Sequence, residues 1–451
     1  MKPVSTTSAF EWLDRLRFTS FHKRLTILSI LVTIFGGYSS QIIAYIVPLA
    51  LKEWDLTPVK AGTMISYGFL GLTVGAVGFG MVSDRLGRKK LIMLVVLVFS
   101  VFNGAAYFAP NFEIFCLFRF LAGLGIGGVI PLTVTLASEF SPSGVRAKVV
   151  TAVGGSFTIG WALAGVVAMV LIPRFGWRVV LLVGTAPVLI LPALHAYLPE
   201  SVRFLASKGR YPEAIGLMRK IEKITGLQPG KWYPESFAQQ GMQQDGNLRD
   251  LLRPDLRLMT VLVWGTYLFS MLALYGLSTW LPALLTGAGF SLVKSYGYTI
   301  VQSVGAMVGG IALGCCMDAF GRKLGLCLSF FMGGLSLLLF AYVTSEAWLY
   351  VAGAASGLFM VGIPAALHVV ANEIYPTRIR STGAGWAYAM GRFGSIVGPV
   401  MGGVVQTAGF STHQFFLFFS LPCFVCMVLV AFYPIGVKNE GLEAVVVKLL
   451  K

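Results

Sequence analysis

Charged side chains are scarce in this chain. Lysine, arginine, aspartate and glutamate make up 12% of its 451 residues, about half the share of an ordinary soluble protein. A chain so poor in charge cannot cover itself with water-facing surface, which excludes a soluble enzyme and a disordered segment. The net charge of +16 invites a nucleic-acid reading, but the same shortage of polar surface argues against it. The six cysteines (Cys116, Cys315, Cys316, Cys327, Cys423 and Cys426) all lie in or beside apolar runs. They form neither a disulfide framework nor a zinc spacing, so core packing is their role. Four histidines and the lack of a nucleophile–base constellation leave no catalytic site, metal site or cofactor to expect. The glycine-rich stretches lack the Lys-Ser/Thr ending that a phosphate-binding loop requires.

Apolar residues fill the space, at 56% of the chain and a mean hydropathy of +0.78. They fall into twelve runs at 25–51, 60–82, 91–109, 113–136, 149–172, 179–198, 257–284, 295–316, 324–344, 347–371, 383–407 and 414–436. Each is long enough to cross the ~30 Å hydrocarbon layer at about 1.5 Å per helical residue. The expected architecture is an all-α membrane protein with a lipid bilayer as its solvent. It has an N-terminal segment 1–24, a six-helix bundle 25–198, a central loop 199–255, a second bundle 256–436 and a tail 437–451. The central loop holds 16 charged residues in 57 and reads as short amphipathic helices on the membrane surface. Arg85, Arg88, Lys89, Lys90, Arg146, Lys148, Arg322, Lys323, Arg378 and Arg380 all fall on the side of the N-terminus. Positive loops stay inside, so both chain ends are expected in the cytoplasm.

The two bundles repeat one another. Gly80-x-x-x-Asp84-Arg85-x-Gly87-Arg88 after the second run matches Gly314-x-x-x-Asp318-x-x-Gly321-Arg322 after the eighth. Glu139 and Arg146 after the fourth match Glu373 and Arg380 after the tenth, and all these pairs share an offset of 234 residues. Two like halves facing one another are a transporter architecture, with the site near the midplane between them.

The Asp84-Arg-x-Gly-Arg-Lys-Lys loop, Arg119-Phe-x-x-Gly-x-Gly-x-Gly and Pro199-Glu-Ser-x-Arg-Phe-Leu resemble the signatures of the major facilitator superfamily. Tyr275-Gly-Leu-Ser-Thr-Trp280-Leu-Pro, Tyr375-Pro-Thr-Arg-Ile-Arg and Thr382-Gly-Ala-Gly-Trp386 followed by Gly391-Arg392-Phe-Gly-Ser-Ile-Val-Gly-Pro399 resemble those of the aromatic acid:proton symporters. That family usually carries Asp-Gly-Phe-Asp in its first span. Here the matching positions read Gly36-Gly37-Tyr38-Ser39, and both acids are missing. The resemblance implies alternating access and a substrate role for the arginine at Arg392. Proton coupling is left without its usual carboxylates.

Away from the helix ends, the spans hold two arginines, Arg119 and Arg392, and no acid of similar depth. A buried arginine costs roughly 2.5–3.5 kcal/mol on insertion scales, and its charge persists because its pKa exceeds about 12. Its planar fork matches a carboxylate in two-point fashion. The expected substrate site is therefore Arg392 aided by Arg119. Tyr38, Ser39, Gln41, Tyr45, Tyr275, Trp280 and Trp386 supply stacking and hydrogen bonds. Structural bonding by Arg119, and packing of the rings between helices, are the competing readings. Asp84, Arg85, Arg88, Glu139, Arg146, Asp318 and Glu373 read as a latch between the halves, or as topology signals alone. His368 is the one group of the tenth run that titrates near neutrality. Gly71, Gly75, Gly78, Gly123, Gly125, Gly127 and Gly128 are expected to let helices approach closely.

The expected function is import of a small organic anion, an aromatic or related carboxylate, across the inner membrane by proton symport. An anion exchanger, a uniporter, a drug or metabolite exporter and a non-translocating sensor remain alternatives. A monomer suffices for such a carrier.

Overall fold

The computed structural model describes residues 8–225, 232–237, 248–254, 256–343, 345–376 and 379–433. Arg378, parts of the central loop and the tail 437–451 lie outside the described residues. Among the described residues every regular element is helical.

Twelve spans cross the molecule. In chain order they are Ser20–Glu53, Pro58–Leu86, Arg88–Tyr107, Phe112–Phe140, Ser143–Phe175, Val179–Tyr197, Arg257–Gly287, Leu292–Phe320, Arg322–Tyr342, Glu346–Ile374, Arg380–Thr407 and Thr412–Ala431. Eleven are long and apolar enough to cross a membrane on composition alone. The exception is span 11, Arg380–Thr407, which carries Arg392 and a dense set of glycines within one 28-residue helix. Its lower apolarity is physically consistent with its place, because one face packs its glycines against spans 2 and 7.

The even-numbered spans 2, 4, 8 and 12 begin on the face opposite the chain termini. Each starts at a side-chain cap, supplied by Thr57, Asn111, Ser291 and Ser411, which satisfies a free backbone N–H of the first turn. Spans 3 and 9 begin on the other face, the one rich in lysine and arginine, at Gly87 and Gly321. Both glycines have φ 93° and ψ 155°, a conformation that other residues rarely adopt. This face is called the basic face below.

Side-chain geometry carries the repeat as well. Arg88 reaches Asp84 at 2.9 Å and Glu139 at 3.6 Å. Arg322 pairs with Asp318 and, at 3.0 Å, with Glu373. Lys89 Nζ donates to the His195 carbonyl at 2.6 Å, and Lys323 Nζ to that of Tyr433 at 3.2 Å. In each half, then, the turn before the third helix ties together the basic ends of the helices around it.

Small residues set the helix spacing. A Cβ added at Gly71 would lie 2.0 Å from the Phe120 carbonyl oxygen, and one at Gly127 would lie 2.1 Å from that of Leu72. Spans 2 and 4 therefore touch backbone to backbone. Gly125 faces span 3 instead, Gly128 meets Val95 of span 3 and Phe79 of span 2, and Gly78 has open space beside it, so Gly78 falls outside that contact.

The halves meet through spans 2 and 11, 5 and 8, and 1 and 7. These contacts sit toward the face opposite the basic one. Ser66 Oγ donates to the Ile396 carbonyl at 2.6 Å, Tyr296 Oη to that of Tyr45 at 2.7 Å, and Gln41 Nε2 to that of Ser278 at 3.2 Å. Gly36 to Pro48 in span 1 and Gly276 to Pro282 in span 7 are buried without a break. Toward the basic face the same helices expose Ile27, Leu31, Leu258 and Val261. The halves are thus closed at one end and parted at the basic end.

Candidate transport site

The site is built on spans 7, 10 and 11 of the second half. Arg392 lies twelve residues after Arg380 in span 11, about 18 Å along the helix axis, and is half-buried. Its guanidinium carbon sits 4.4 Å over the ring of Tyr388, one helical turn earlier. Among the described residues no carboxylate, carbonyl or hydroxyl meets that guanidinium, and its Nε is buried without a hydrogen-bond partner. Arg392 thus carries only a ring contact at a depth where a permanent charge is costly.

Around it stand aromatic and imidazole groups. Tyr275 of span 7 and His368 of span 10 lie within electrostatic reach of Arg392. Tyr275 packs at a tilt against Phe69 of span 2 at 4.5 Å and meets Trp161 of span 5 edge-on at 5.9 Å, so it joins the two halves at mid-membrane. The Trp161 indole N–H is buried and has no acceptor. His368 packs against Tyr388 at 5.2 Å, and its Nδ1 is 3.3 Å from the Tyr267 hydroxyl. His368 is nonetheless exposed, on a stripe with Ala365, Val369 and Asn372.

Arg119 has a different setting. Its guanidinium is 3% exposed and donates to Asn103 Oδ1 at 3.1 Å and to the Ser39 carbonyl at 2.9 Å. Asn103 in turn donates to Ser39 Oγ at 3.0 Å. The group ties spans 1, 3 and 4 together inside the first half. A small crevice beside it, lined by Ser40, Gly68 and Phe69, has room for about one water molecule. The donors of Arg119 are thus engaged within the first half, whereas Arg392 carries only a ring contact.

The other expected pocket residues are dispersed. Tyr38, Ser39, Gln41, Tyr45 and Trp280 are all fully buried, and of these Gln41 and Tyr45 contact the other half. The Tyr38 hydroxyl donates to the Val180 carbonyl at 2.6 Å, the Trp280 indole N–H donates to that of Pro399 at 2.9 Å, and Tyr45 packs edge-on against Tyr296 at 5.1 Å. Trp386 shares an exposed stripe of span 11 with Phe393, Val397 and Val404. A stripe of that make-up at helical spacing is a lipid-facing one, and Trp386 packs on Trp264 rather than beside Arg392.

Apart from Arg85, the expected latch residues pair within their own half. Asp84 binds Arg88, and Asp318 and Glu373 bind Arg322. Arg146 binds Asp14 of the short helix Ala9–Asp14 and the Ser138 and Ser141 carbonyls. Arg85 is exposed. The ion pairs of Asp84, Arg88, Glu139, Asp318, Arg322 and Glu373 each stay within one half.

Sequence reasoning missed Tyr388, Tyr267, Trp161 and Asn103. Tyr388 had a signal, since a ring four residues before an arginine lies on the same helix face. Asn103 had one too, as a polar amide inside an apolar span. The other two needed the packing between halves.

Residues 34–444 match the family model described as "Sugar (and other) transporter". The chain belongs to this transporter family of the major facilitator superfamily. The niacin transporter NiaP of Acinetobacter baylyi is 31% identical to it, over 96% of this chain and 98% of the relative. The benzoate transport protein of the same organism is 32% identical, over 93% and 91%. The gallate transporter of Pseudomonas putida is 32% identical, over 93% of each. Among solved structures, the inward-open conformation of the E. coli xylose transporter XylE superposes with a TM-score of 0.73 at 17% identity, covering 95% of this chain and 99% of that one. This transporter is therefore a multi-pass membrane protein and not an enzyme, with the two-bundle fold that its internal repeat requires.

Proposed function

We propose that this transporter carries small aromatic carboxylates into the cell across the inner membrane, by alternating access and together with a proton. Both chain ends face the cytoplasm in this reading, because the basic loops lie on their side. The carboxylate seats on the Arg392 guanidinium, and the ring of the substrate lies among Tyr388, Tyr275 and Trp161. The observation that carries the reading is the lack of any counter-charge at Arg392 among the described residues. A permanent cation at mid-membrane is costly, and an incoming anion relieves that cost. The named cargoes of the relatives, niacin, benzoate and gallate, are all flat rings bearing a carboxylate. Arg119 serves as an internal brace and Trp386 as a lipid-facing ring.

Cycle and geometry fit together. The parted basic end is the release state, and the uncharged contacts at the opposite end must open to admit substrate. Counterflow of radiolabelled benzoate into proteoliposomes tests the function. Exchange of benzoate and nicotinate, with no exchange of neutral benzamide, is the expected result. Equal exchange of benzamide would reject a carboxylate site. Benzoate uptake that ignores an imposed pH gradient would make the protein an exchanger or uniporter.

A further inference from the structure

Proton symport needs a group that takes a proton near the substrate, and the first span lacks the acids that would serve. The spans carry their acids at the ends: Glu53, Asp84, Glu113, Glu139, Asp318, Glu346 and Glu373. Between them, the central region between the halves holds one imidazole, His368.

We infer that His368 carries the coupled proton, and that its proton and the carboxylate on Arg392 bind cooperatively because each cancels the other's electrostatic obstacle. The inference rests on the carboxylate site proposed above. Tyr388 stands between the two groups, with Arg392 4.4 Å from its ring and His368 5.2 Å from it. From span 7 only the Tyr267 hydroxyl faces the imidazole, at 3.3 Å from Nδ1. From span 11 the facing groups are Tyr388 and Arg392. Asp318 of span 8 and Arg322 of span 9 are engaged with each other and with Glu373. Asn372 on the next turn of span 10 turns its amide to the His368 carbonyl at 2.8 Å. The dominant charge on His368 is therefore Arg392.

With the site empty, a proton on His368 would put two positive charges on either side of one ring, and repulsion opposes it. A carboxylate on Arg392 neutralises the first charge and removes that opposition. By reciprocity, a protonated His368 strengthens the hold on the carboxylate by the same factor. With Nδ1–H donated to the Tyr267 hydroxyl, the free lone pair is on Nε2, and the coupled proton enters and leaves there. The charge balance closes. The empty site holds Arg392 as its one positive charge. The loaded site holds Arg392, protonated His368 and one carboxylate, again a net single positive charge. The transporter then returns empty with the charge it carried when full, and one proton moves with each anion.

Purified wild-type protein is titrated with benzoate in weak buffer, with a pH indicator to count protons. The expected result is uptake of up to one proton per benzoate bound, and an affinity that strengthens up to about tenfold per unit fall in pH. In His368→Gln, benzoate binding loses both the proton uptake and the pH dependence. His368→Asn is the second variant should the glutamine protein not fold. Wild-type binding without proton uptake, or uptake that persists in either folded variant, would overturn the inference while leaving the carboxylate site intact. No benzoate binding by the wild type, or unaltered binding by Arg392→Ala, would instead sink the site itself.

Discussion

The guanidinium carbon of Arg392 sits over the ring of Tyr388, 4.4 Å from its centre. The contact comes from one helical turn of a single span, so its geometry is fixed locally before the halves assemble. It holds the fork of the arginine in one plane without consuming its donors. Such a stack is worth about 0.5–2 kcal/mol.

Removing the ring should loosen the fork without abolishing it. Tyr388→Leu is expected to raise the KM for benzoate by about twofold to thirtyfold, the range that follows from that energy. Tyr388→Phe keeps the ring and should stay within about twofold of the wild type. Transport kinetics in proteoliposomes check both. Equal KM values for the leucine and phenylalanine variants would remove the ring from the site.

Arg119 should behave as a brace. Arg119→Ala leaves Asn103 Oδ1 buried without its donor and takes from the Ser39 carbonyl its second bond, at about 1–3 kcal/mol for the orphaned amide oxygen. The expected result is a lowered thermal midpoint in detergent and reduced abundance. The double variant with Asn103→Ala should fall short of the sum of the two single effects, because the partners share one network. A folded Arg119→Ala protein with an unchanged midpoint and no transport would return Arg119 to the substrate path.

Helix contact in the first half makes a sharper contrast. Gly71→Val has no room, since its Cβ would lie 2.0 Å from a backbone oxygen. Spans 2 and 4 must separate to accept it, and the protein should fail to accumulate in the membrane. Gly78→Val, two turns along the same helix and with open space, should accumulate to wild-type levels. Immunoblots of membrane fractions decide this. Equal levels of the two would contradict the packing described.

Much of the architecture was legible because its signals are repeated. The 234-residue offset gave the two halves, and the structure returns it as matching ion pairs at Arg88 and Arg322. Arg392 was legible as a lone deep charge. The pocket around it was less so. Tyr38 and Ser39 drew notice by sitting where related transporters have acids, yet the structure uses them to bond within the first half. Trp386 drew notice as a ring beside Arg392 in sequence, but six residues on a helix turn it to another face. The Tyr275–Trp161 contact depends on how two bundles meet, which a linear pattern does not encode.

The central claim is that Arg392 receives a carboxylate. Benzoate counterflow into proteoliposomes carrying Arg392→Ala, loaded to the same protein content as the wild type, tests it most directly. The account predicts exchange no faster than in protein-free vesicles. Exchange at the wild-type rate would contradict it.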